Sequence, residues 1–219
     1  MYSSLSHQIL HTVLLPLAWC YDGVTRIRNW AFDHGYLPTL KFDLPIIGVG
    51  NLAVGGTGKT PHAQWIVEQL LEMNKRVAVL SRGYGRKTRG FRILTFTSTA
   101  DEVGDEPLQL FRRFAQRNFI AAVCEKRVLG VKRLLQLEYP PEVIVLDDSF
   151  QHRYVLPGLN ILLTDFAKTY DEDSLLPAGR LRENAKGASR ADVIIVTKCP
   201  QHLSTAQQTA KITALLAAH

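Results

Sequence analysis

The chain has 219 residues, 46% of them hydrophobic, which is the size and composition of a globular protein with a sizeable buried core. Its net charge of +6 and pI of about 9.3 favour an acidic partner such as a nucleotide, a nucleic acid or an anionic membrane surface. The cysteines Cys20, Cys124 and Cys199 have no metal-ligand spacing, which excludes a metal-thiolate site and is typical of reduced cytosolic thiols.

An amphipathic helical segment is predicted within residues 1–40. Residues 1–21 contain no Asp, Glu, Lys or Arg, but the apolar part, 9–21, is too short to span a bilayer, and no basic residues precede it as in a secretory signal. Pro16 is expected to kink the helix. The apolar face either lies in a membrane interface or packs on the protein surface. It comprises Leu10, Leu14, Leu17, Tyr21, Val24 and Trp30.

From residue 41 to 219 the chain alternates short apolar runs with helical patterns, which predicts one α/β domain. The runs are rich in Val, Ile and Leu and mostly continuous, as in parallel strands covered on both faces. The predicted strands are 46–49, 77–81, 92–96, 119–123, 143–146, 161–164 and 193–196, and the helices are 60–73, 105–117, 126–138 and 201–217. We expect a mostly parallel sheet with helices on both faces and a nucleotide at the carboxyl ends of its strands.

A glycine-rich loop between the first strand and its helix predicts a phosphate site of the P-loop NTPase type. Its residues are Ala53, Val54, Gly55, Gly56, Thr57, Gly58, Lys59 and Thr60. Glycines let successive backbone N–H groups approach phosphate oxygens, while Lys59 reaches the β- and γ-phosphates and the Thr60 hydroxyl binds Mg²⁺. Ala53 stands where the usual pattern has glycine. A glycine turn that binds nothing is the alternative.

The run 143–146 ends in Asp147 and Asp148, and a carboxylate at that strand end is expected to meet the Mg²⁺ held by the loop threonine. Gln151, His152 and Arg153 follow and would border the phosphates. His152 has the alternative of being a packed or surface histidine.

Three further loops carry charged residues beside the predicted site. Residues 75–92 contain seven basic and no acidic side chains, and they form either an anion-binding loop or a solvated basic loop. Asp105 and Glu106 are either ordinary acids of a first helical turn or, for Asp105, a base for an attacking hydroxyl. Arg182 and Glu183 either serve the phosphate and metal or form a surface ion pair.

No nucleic-acid module accompanies the basic run, so we predict no nucleic-acid partner.

In order along the chain, these motifs resemble the tetraacyldisaccharide 4′-kinases of lipid A biosynthesis. The motifs are GNLAVGGTGKTP at 50–61, SRGYGR at 81–86, GDEP at 104–107, DDSFQHR at 147–153 and LPAGRLRE at 176–183. The resemblance implies a P-loop kinase fold that uses ATP and Mg²⁺. It implies phosphorylation of the 4′-hydroxyl of a tetraacylated glucosamine disaccharide 1-phosphate, giving lipid IVA, by a peripheral enzyme at the cytoplasmic face of the bacterial inner membrane.

The resemblance also implies roles for individual residues. Asp105 would be the catalytic base with Glu106 in support, and Lys59 would act on the ATP phosphates. Nucleotide would contact Gln151, His152, Arg182 and Arg127, and metal would contact Thr60, Asp147, Asp148 and Glu183. Ser149 stands where the family's motif usually has glycine, a change we expect to be tolerated.

Members of this family continue into a second α/β lobe that supplies a histidine, and we expect that lobe to be absent here. Two other functions are therefore kept: a nucleotide-dependent switch or partitioning ATPase, and an inactive nucleotide-binding fragment. The partitioning ATPases carry an additional lysine early in the loop, which residues 51–54 do not provide. Nothing in the sequence indicates an obligate protein partner.

Overall fold

The computed structural model describes residues 2–218, with side chains from 13 to 217. The predicted position Leu10 lies outside the residues whose side chains are described. The helices are α1 (Tyr2–Asp33), α2 (Lys59–Glu72), α3 (Ala100–Val103), α4 (Asp105–Phe114), α5 (Arg127–Leu135) and α6 (Thr205–Ala218), with a 3₁₀ helix at Ala185–Arg190. The strands are β1 (Ile46–Asn51), β2 (Val77–Ser81), β3 (Arg92–Ile93), β4 (Phe119–Val123), β5 (Val143–Asp147), β6 (Leu159–Asp165) and β7 (Val193–Thr197).

The seven strands form one sheet in the order β3-β4-β2-β5-β1-β6-β7. β5 pairs in parallel with β1 and β2, and β2 pairs in parallel with β4. The paired residues Val49 and Asp147 bring the carboxyl ends of β1 and β5 to the same edge. Parallel strands with continuous apolar side chains are those that are buried on both faces, and all five residues of β2 are buried. The predicted mostly parallel α/β sheet is confirmed.

Contacts divide the chain into two compact units, and one of them comprises residues 38–50 and 58–161. Its core lies between β2, β4 and β5 and helix α5. The buried cluster consists of Ile46, Ala78, Leu80, Ala122, Cys124, Val131, Leu134, Ile144, Leu146 and Val155. Gly130 allows α5 to approach the sheet, because a Cβ atom there would lie 2.7 Å from a methyl group of Leu80.

The other unit comprises the chain up to Leu37, residues 51–57 and the chain from Leu162. Within it α1 buries Ala18 and Phe32. The Tyr21 hydroxyl donates to the carbonyl of Arg182 (2.7 Å), and the Asn29 amide donates to Glu183 Oε2 (2.8 Å). The helix continues through Pro16. None of the described helices combines the length and apolar character needed to cross a bilayer.

Strand β3 is shorter than predicted and lies antiparallel to β4 at the sheet edge. The prediction of a strand over 92–96 was wrong because its polar side chains bond locally. The Thr95 amide donates to Ser98 Oγ (2.9 Å) and the Ser98 amide donates to the Thr95 carbonyl (3.1 Å), which turns the chain. The sequence also missed α3, which Thr99 and Glu102 begin with a reciprocal capping box.

Candidate functional site

The phosphate loop has the backbone that its glycines predict. Gly55 and Gly58 adopt left-handed φ values of 109° and 83°, and Gly58 is the N-cap of α2. Helix α2 begins at Lys59, one residue before the predicted start at residue 60. A Cβ atom at Gly55 or Gly56 would meet nothing within 4 Å, so open space lies above the loop. A helix N-terminus behind such a loop favours phosphate.

Two side chains that the sequence did not single out hold residues 51–57. Asn51, which is fully buried, donates from Nδ2 to the Ala53 carbonyl (2.6 Å) and to Thr57 Oγ1 (2.8 Å). The Thr197 hydroxyl, at the end of β7, donates to the Thr57 carbonyl (3.0 Å). The asparagine immediately before the glycine-rich loop was a local signal. Thr197 lies 140 residues from Thr57, which no local pattern reveals.

Lys59 lies beside the two aspartates at the end of β5. Its Nζ atom is 3.6 Å from Asp148 Oδ1, and the lysine side chain is only 15% exposed. Asp148 adopts a positive φ of 48°, which ends the strand sharply. The loop lysine and the strand-end carboxylates therefore belong to one charged cluster.

Asp147 carries the most perturbed carboxylate of this cluster. Ser81 Oγ donates to its Oδ2 atom (3.3 Å), while Oδ1 is buried without a hydrogen-bond partner. Burial, and then the negative charges of Asp148 and Glu106, raise the pKa of Asp147 to about 6, although Arg127 and Lys59 oppose the shift. A buried carboxylate oxygen with no donor and a second carboxylate beside it suits a cation.

This donor set fits Mg²⁺. Magnesium takes one or two protein carboxylates and completes its shell with water and substrate phosphates. Among the described residues there is no cluster of three or more His, Cys, Asp or Glu side chains that would hold a metal by protein ligands alone. Asp147 and Asp148, with the Thr60 hydroxyl, are therefore the residues that would hold it.

Asp105 and Glu106 form the exposed first turn of α4. Glu106 is close enough to Asp147 to raise its pKa, which brings this turn to the strand-end carboxylates. The loop 83–84 packs directly on the turn before it, because a Cβ atom at Gly104 would lie 2.9 Å from the Tyr84 carbonyl oxygen. The structure thus brings together the SRGYGR and GDEP motifs, which are separate in the sequence.

The basic run at 75–92 is largely neutralised within the protein. Arg82 and Arg89 are exposed, and the Arg76 guanidinium donates to the Pro140 carbonyl. Four other cations form ion pairs: Lys75–Glu142 (3.6 Å), Arg86–Glu125 (2.6 Å), Lys87–Asp101 (2.6 Å) and Arg92–Glu102 (3.8 Å). Anion binding by this run stays a prediction, and the four ion pairs also connect it to neighbouring elements.

Arg127 is buried, and it donates to the carbonyls of Cys124 (2.9 Å) and Asp147 (2.8 Å). It therefore fastens the carboxyl ends of β4 and β5. Burial lowers the pKa of Arg127 to about 10, which still leaves it protonated at neutral pH. Its contact with nucleotide stays a prediction.

The remaining predicted residues lie in two places. Gln151 and His152 are half-buried in a turn shortly after β5. In this turn the His152 amide donates to the Ser149 carbonyl (2.8 Å). Glu183, in the other unit, is 3% exposed and accepts from Arg190 Nη2 (2.8 Å) and from Asn29. The Arg182 amide donates to the Leu52 carbonyl (2.7 Å). Their roles toward phosphate and metal stay predictions.

A mostly parallel sheet, a glycine-rich loop ending in Lys-Thr, and strand-end aspartates beside that lysine define the fold of the P-loop class. A family model for tetraacyldisaccharide-1-P 4′-kinases matches residues 10–219. The chain belongs to this family.

Similar proteins agree with that assignment. The chain is 50% identical over 195 residues to the tetraacyldisaccharide 4′-kinase of Bacteroides thetaiotaomicron and 55% identical over 189 residues to that of Parabacteroides distasonis. These matches cover 89% and 85% of this chain and 50% of each relative, so the chain spans about half of their length. The crystal structure of LpxK from Aquifex aeolicus in complex with ATP superposes with a TM-score of 0.79 at 36% identity, covering 90% of this chain and 62% of that one.

Proposed function

We propose that this protein transfers the γ-phosphoryl group of ATP to the 4′-hydroxyl of a tetraacylated glucosamine disaccharide 1-phosphate, giving lipid IVA. The observation that carries the proposal is the cluster of Lys59, Asp147, Asp148 and Glu106, at the phosphate loop and beside the candidate base Asp105. The relatives named tetraacyldisaccharide 4′-kinase and the ATP complex of a similar structure supply the acceptor and the donor.

In this reaction a bond forms between the sugar 4′-oxygen and the γ-phosphorus, and the bond from that phosphorus to the β,γ-bridging oxygen breaks. Asp105 accepts the hydroxyl proton, and Glu106 supports it. Lys59 and the backbone N–H groups at 55–60 bind the phosphates, with Gln151, His152, Arg127 and Arg182 as further nucleotide contacts.

Mg²⁺, held by Thr60, Asp147 and Asp148, would neutralise charge on the transferring phosphate. Glu183 stays a further candidate for the metal, although both its oxygens already accept hydrogen bonds from protein donors.

A direct transfer assay tests the proposal. The purified protein is incubated with γ-labelled ATP, Mg²⁺ and the tetraacyl disaccharide 1-phosphate in detergent. Label moving to the lipid is the expected result. Label released only as inorganic phosphate would indicate a switch-type ATPase, and label remaining in ATP would indicate a nucleotide-binding fragment; either result overturns the proposal.

We also propose that α1 holds the protein at the cytoplasmic face of the inner membrane as a peripheral protein. Away from the buried Ala18 and Phe32, α1 exposes an apolar stripe at helical spacing. Its large side chains are Val13, Leu17, Val24 and Ile27, flanked by Trp19 and Trp30, each more than half exposed. Such a stripe would hold the protein at the membrane surface, where the acyl chains of the acceptor remain in the bilayer.

Replacing Leu17, Val24 and Ile27 together with serine is expected to lower binding to vesicles of phosphatidylethanolamine and phosphatidylglycerol by about 10-fold or more, because each removes buried apolar area. These side chains are exposed, so the fold should persist, whereas deleting α1 would also remove Tyr21 and Asn29. Flotation measures the binding. The matched control is Trp65→Ser with Met73→Ser, two exposed apolar residues near α2. Unchanged flotation of the triple variant would refute the membrane role.

A further inference from the structure

The start of the phosphate loop is paired with the segment 180–182, within the unit that contains both. The Val54 amide donates to the Arg180 carbonyl and the Arg182 amide donates to the Leu52 carbonyl, both at 2.7 Å. Ala53 and Leu181 form an antiparallel bridge between these two bonds. The backbone of Leu52, Ala53 and Val54 therefore depends on where the 180–182 segment lies.

Asp173 fixes that segment from behind. Its Oδ1 atom accepts from the amides of Ser174 (2.8 Å) and Arg180 (3.3 Å), and its Oδ2 atom accepts from Arg180 Nε (2.7 Å). It therefore holds both the main chain and the side chain of Arg180. The Arg180 carbonyl on the next peptide is the one that accepts from Val54.

Lys168 completes the ion pair. Its Nζ atom is 2.7 Å from Asp173 Oδ1, and Arg180 Nη2 donates to the Lys168 carbonyl (3.4 Å). The Asp173 side chain is 1% exposed, so this pairing is screened little by water. Burial alone would raise the pKa of Asp173, but hydrogen bonds from Lys168 and Arg180 lower it below its ordinary value, so the carboxylate is charged.

The loop that carries this ion pair is closed and tightly packed. The Leu176 amide donates to the Leu181 carbonyl (2.9 Å), and the Leu181 amide donates to the Ser174 carbonyl (2.9 Å). A Cβ atom at Gly179 would collide with the Ser174 carbonyl oxygen, so only glycine fits there. Lys168 and Arg180 also line one small recess together with Ala53 and Thr57.

We infer that Asp173, with Lys168 and Arg180, is a positioning residue for ATP: it holds the 180–182 segment that sets the backbone of the phosphate loop at 52–54. This inference rests on the proposed function for its nucleotide. The three residues touch neither phosphate nor metal in this role, and they act through the hydrogen bonds of Val54 and Leu52. The motif LPAGRLRE at 176–183 would then position the phosphate loop, in addition to any contact of Arg182 and Glu183 with phosphate or metal.

The test is Asp173→Asn, which keeps an oxygen for the amides of Ser174 and Arg180, removes the charge, and replaces the acceptor of Arg180 Nε with an NH₂ group. We expect KM for ATP to rise with KM for the lipid acceptor unchanged, and kcat/KM for ATP to fall by about 10- to 100-fold, since displacement of a binding group by about 1 Å costs that much. Amide hydrogen exchange of a peptide covering 52–57 should accelerate in the absence of any nucleotide. The matched control is Glu172→Gln, the neighbouring carboxylate, whose partner is Lys211 (2.6 Å).

A variant with wild-type ATP affinity and wild-type exchange at 52–57 would overturn the inference, as would equal losses for both substrates. If Asp173→Asn does not fold, Arg180→Lys and Lys168→Met make the same test, because these side chains are 43% and 46% exposed. If the wild type binds no ATP, the proposed function fails, whereas the exchange rate at 52–57 still decides whether Asp173 holds the loop.

Discussion

Replacing Asp105 with alanine is expected to abolish phosphate transfer to the lipid while ATP binding is retained. Asp105 is exposed at the first turn of α4, where a substrate hydroxyl can reach it, and it does not belong to the Lys59–Asp148 ion pair. Removing a general base costs about 10²- to 10⁴-fold in turnover. Label transfer to lipid and binding of a fluorescent ATP analogue measure the two effects separately.

Asp101→Ala is the matched control for this prediction. Asp101 is an exposed acid on the adjacent helix α3, and its partner is Lys87 on the basic loop, so the same charge is removed near the same surface. We expect nearly normal transfer in the control. Normal turnover of the Asp105→Ala protein would show that another group accepts the hydroxyl proton.

Replacing Asp147 with asparagine is expected to stabilise the protein at neutral pH in magnesium-free buffer while transfer is lost. The pKa of Asp147 is raised to about 6 from an ordinary 3.8, so the folded state disfavours its charged form. A shift of this size corresponds to about 1–3 kcal/mol of unfolding free energy, because each pKa unit is worth about 1.4 kcal/mol. A residue of the site that costs stability is typical of functional carboxylates.

The pH dependence follows from the direction of this shift. For a carboxyl group with a raised pKa, the contribution to stability is complete below pH 3.8 and is lost as the pH rises to about 6. The stability difference between variant and wild type should therefore be absent near pH 3.8 and complete above about pH 6. Thermal or urea unfolding across this range measures it.

Asp165→Asn is the control, because the pKa of Asp165 is lowered whereas that of Asp147 is raised. Asp165 also ends a strand, but hydrogen bonding and charge from Lys198, at 2.8 Å, lower its pKa. Its substitution should not stabilise the protein at neutral pH. A destabilised Asp147→Asn protein would mean that the hydrogen bond from Ser81 outweighs burial and repulsion.

Much of the fold was predictable because its signals are local. Continuous Val, Ile and Leu runs located β2 and β4 to the residue and the other long strands to within two residues at either end. The errors fell where polar side chains bond to nearby backbone, as at Thr95 and Ser98, or where a cap begins a short helix, as at Thr99. Strand propensity does not account for side chains that hydrogen-bond to nearby backbone, and apolar residues such as Phe96 made the segment 92–96 resemble a strand.

The sequence identified the charged residues that lie together at the candidate site, but not the hydrogen bonds that hold the phosphate loop. Motifs singled out Lys59, Asp147 and Asp148, and the structure brings them together. Thr197, which holds the phosphate loop, and Asp173, which we propose to position it, carried no recognisable signal, because their partners are backbone groups or lie far along the chain. Asn51 was not singled out either, although its position immediately before the loop was a local signal.

The sequence by itself determined the order of strands and helices, the glycine turn at 55–58 and the family, since each depends on residues that are neighbours in the chain. Only the tertiary structure decided the charge balance of the site. The pKa of Asp147 depends on its burial and on Glu106, which lies 41 residues before it in the chain. Several cations of the basic run at 75–92 form ion pairs with acids on other elements, as Arg86 does with Glu125 and Lys87 with Asp101. Burial and distances between remote residues set these properties, and neither exists until the chain has folded.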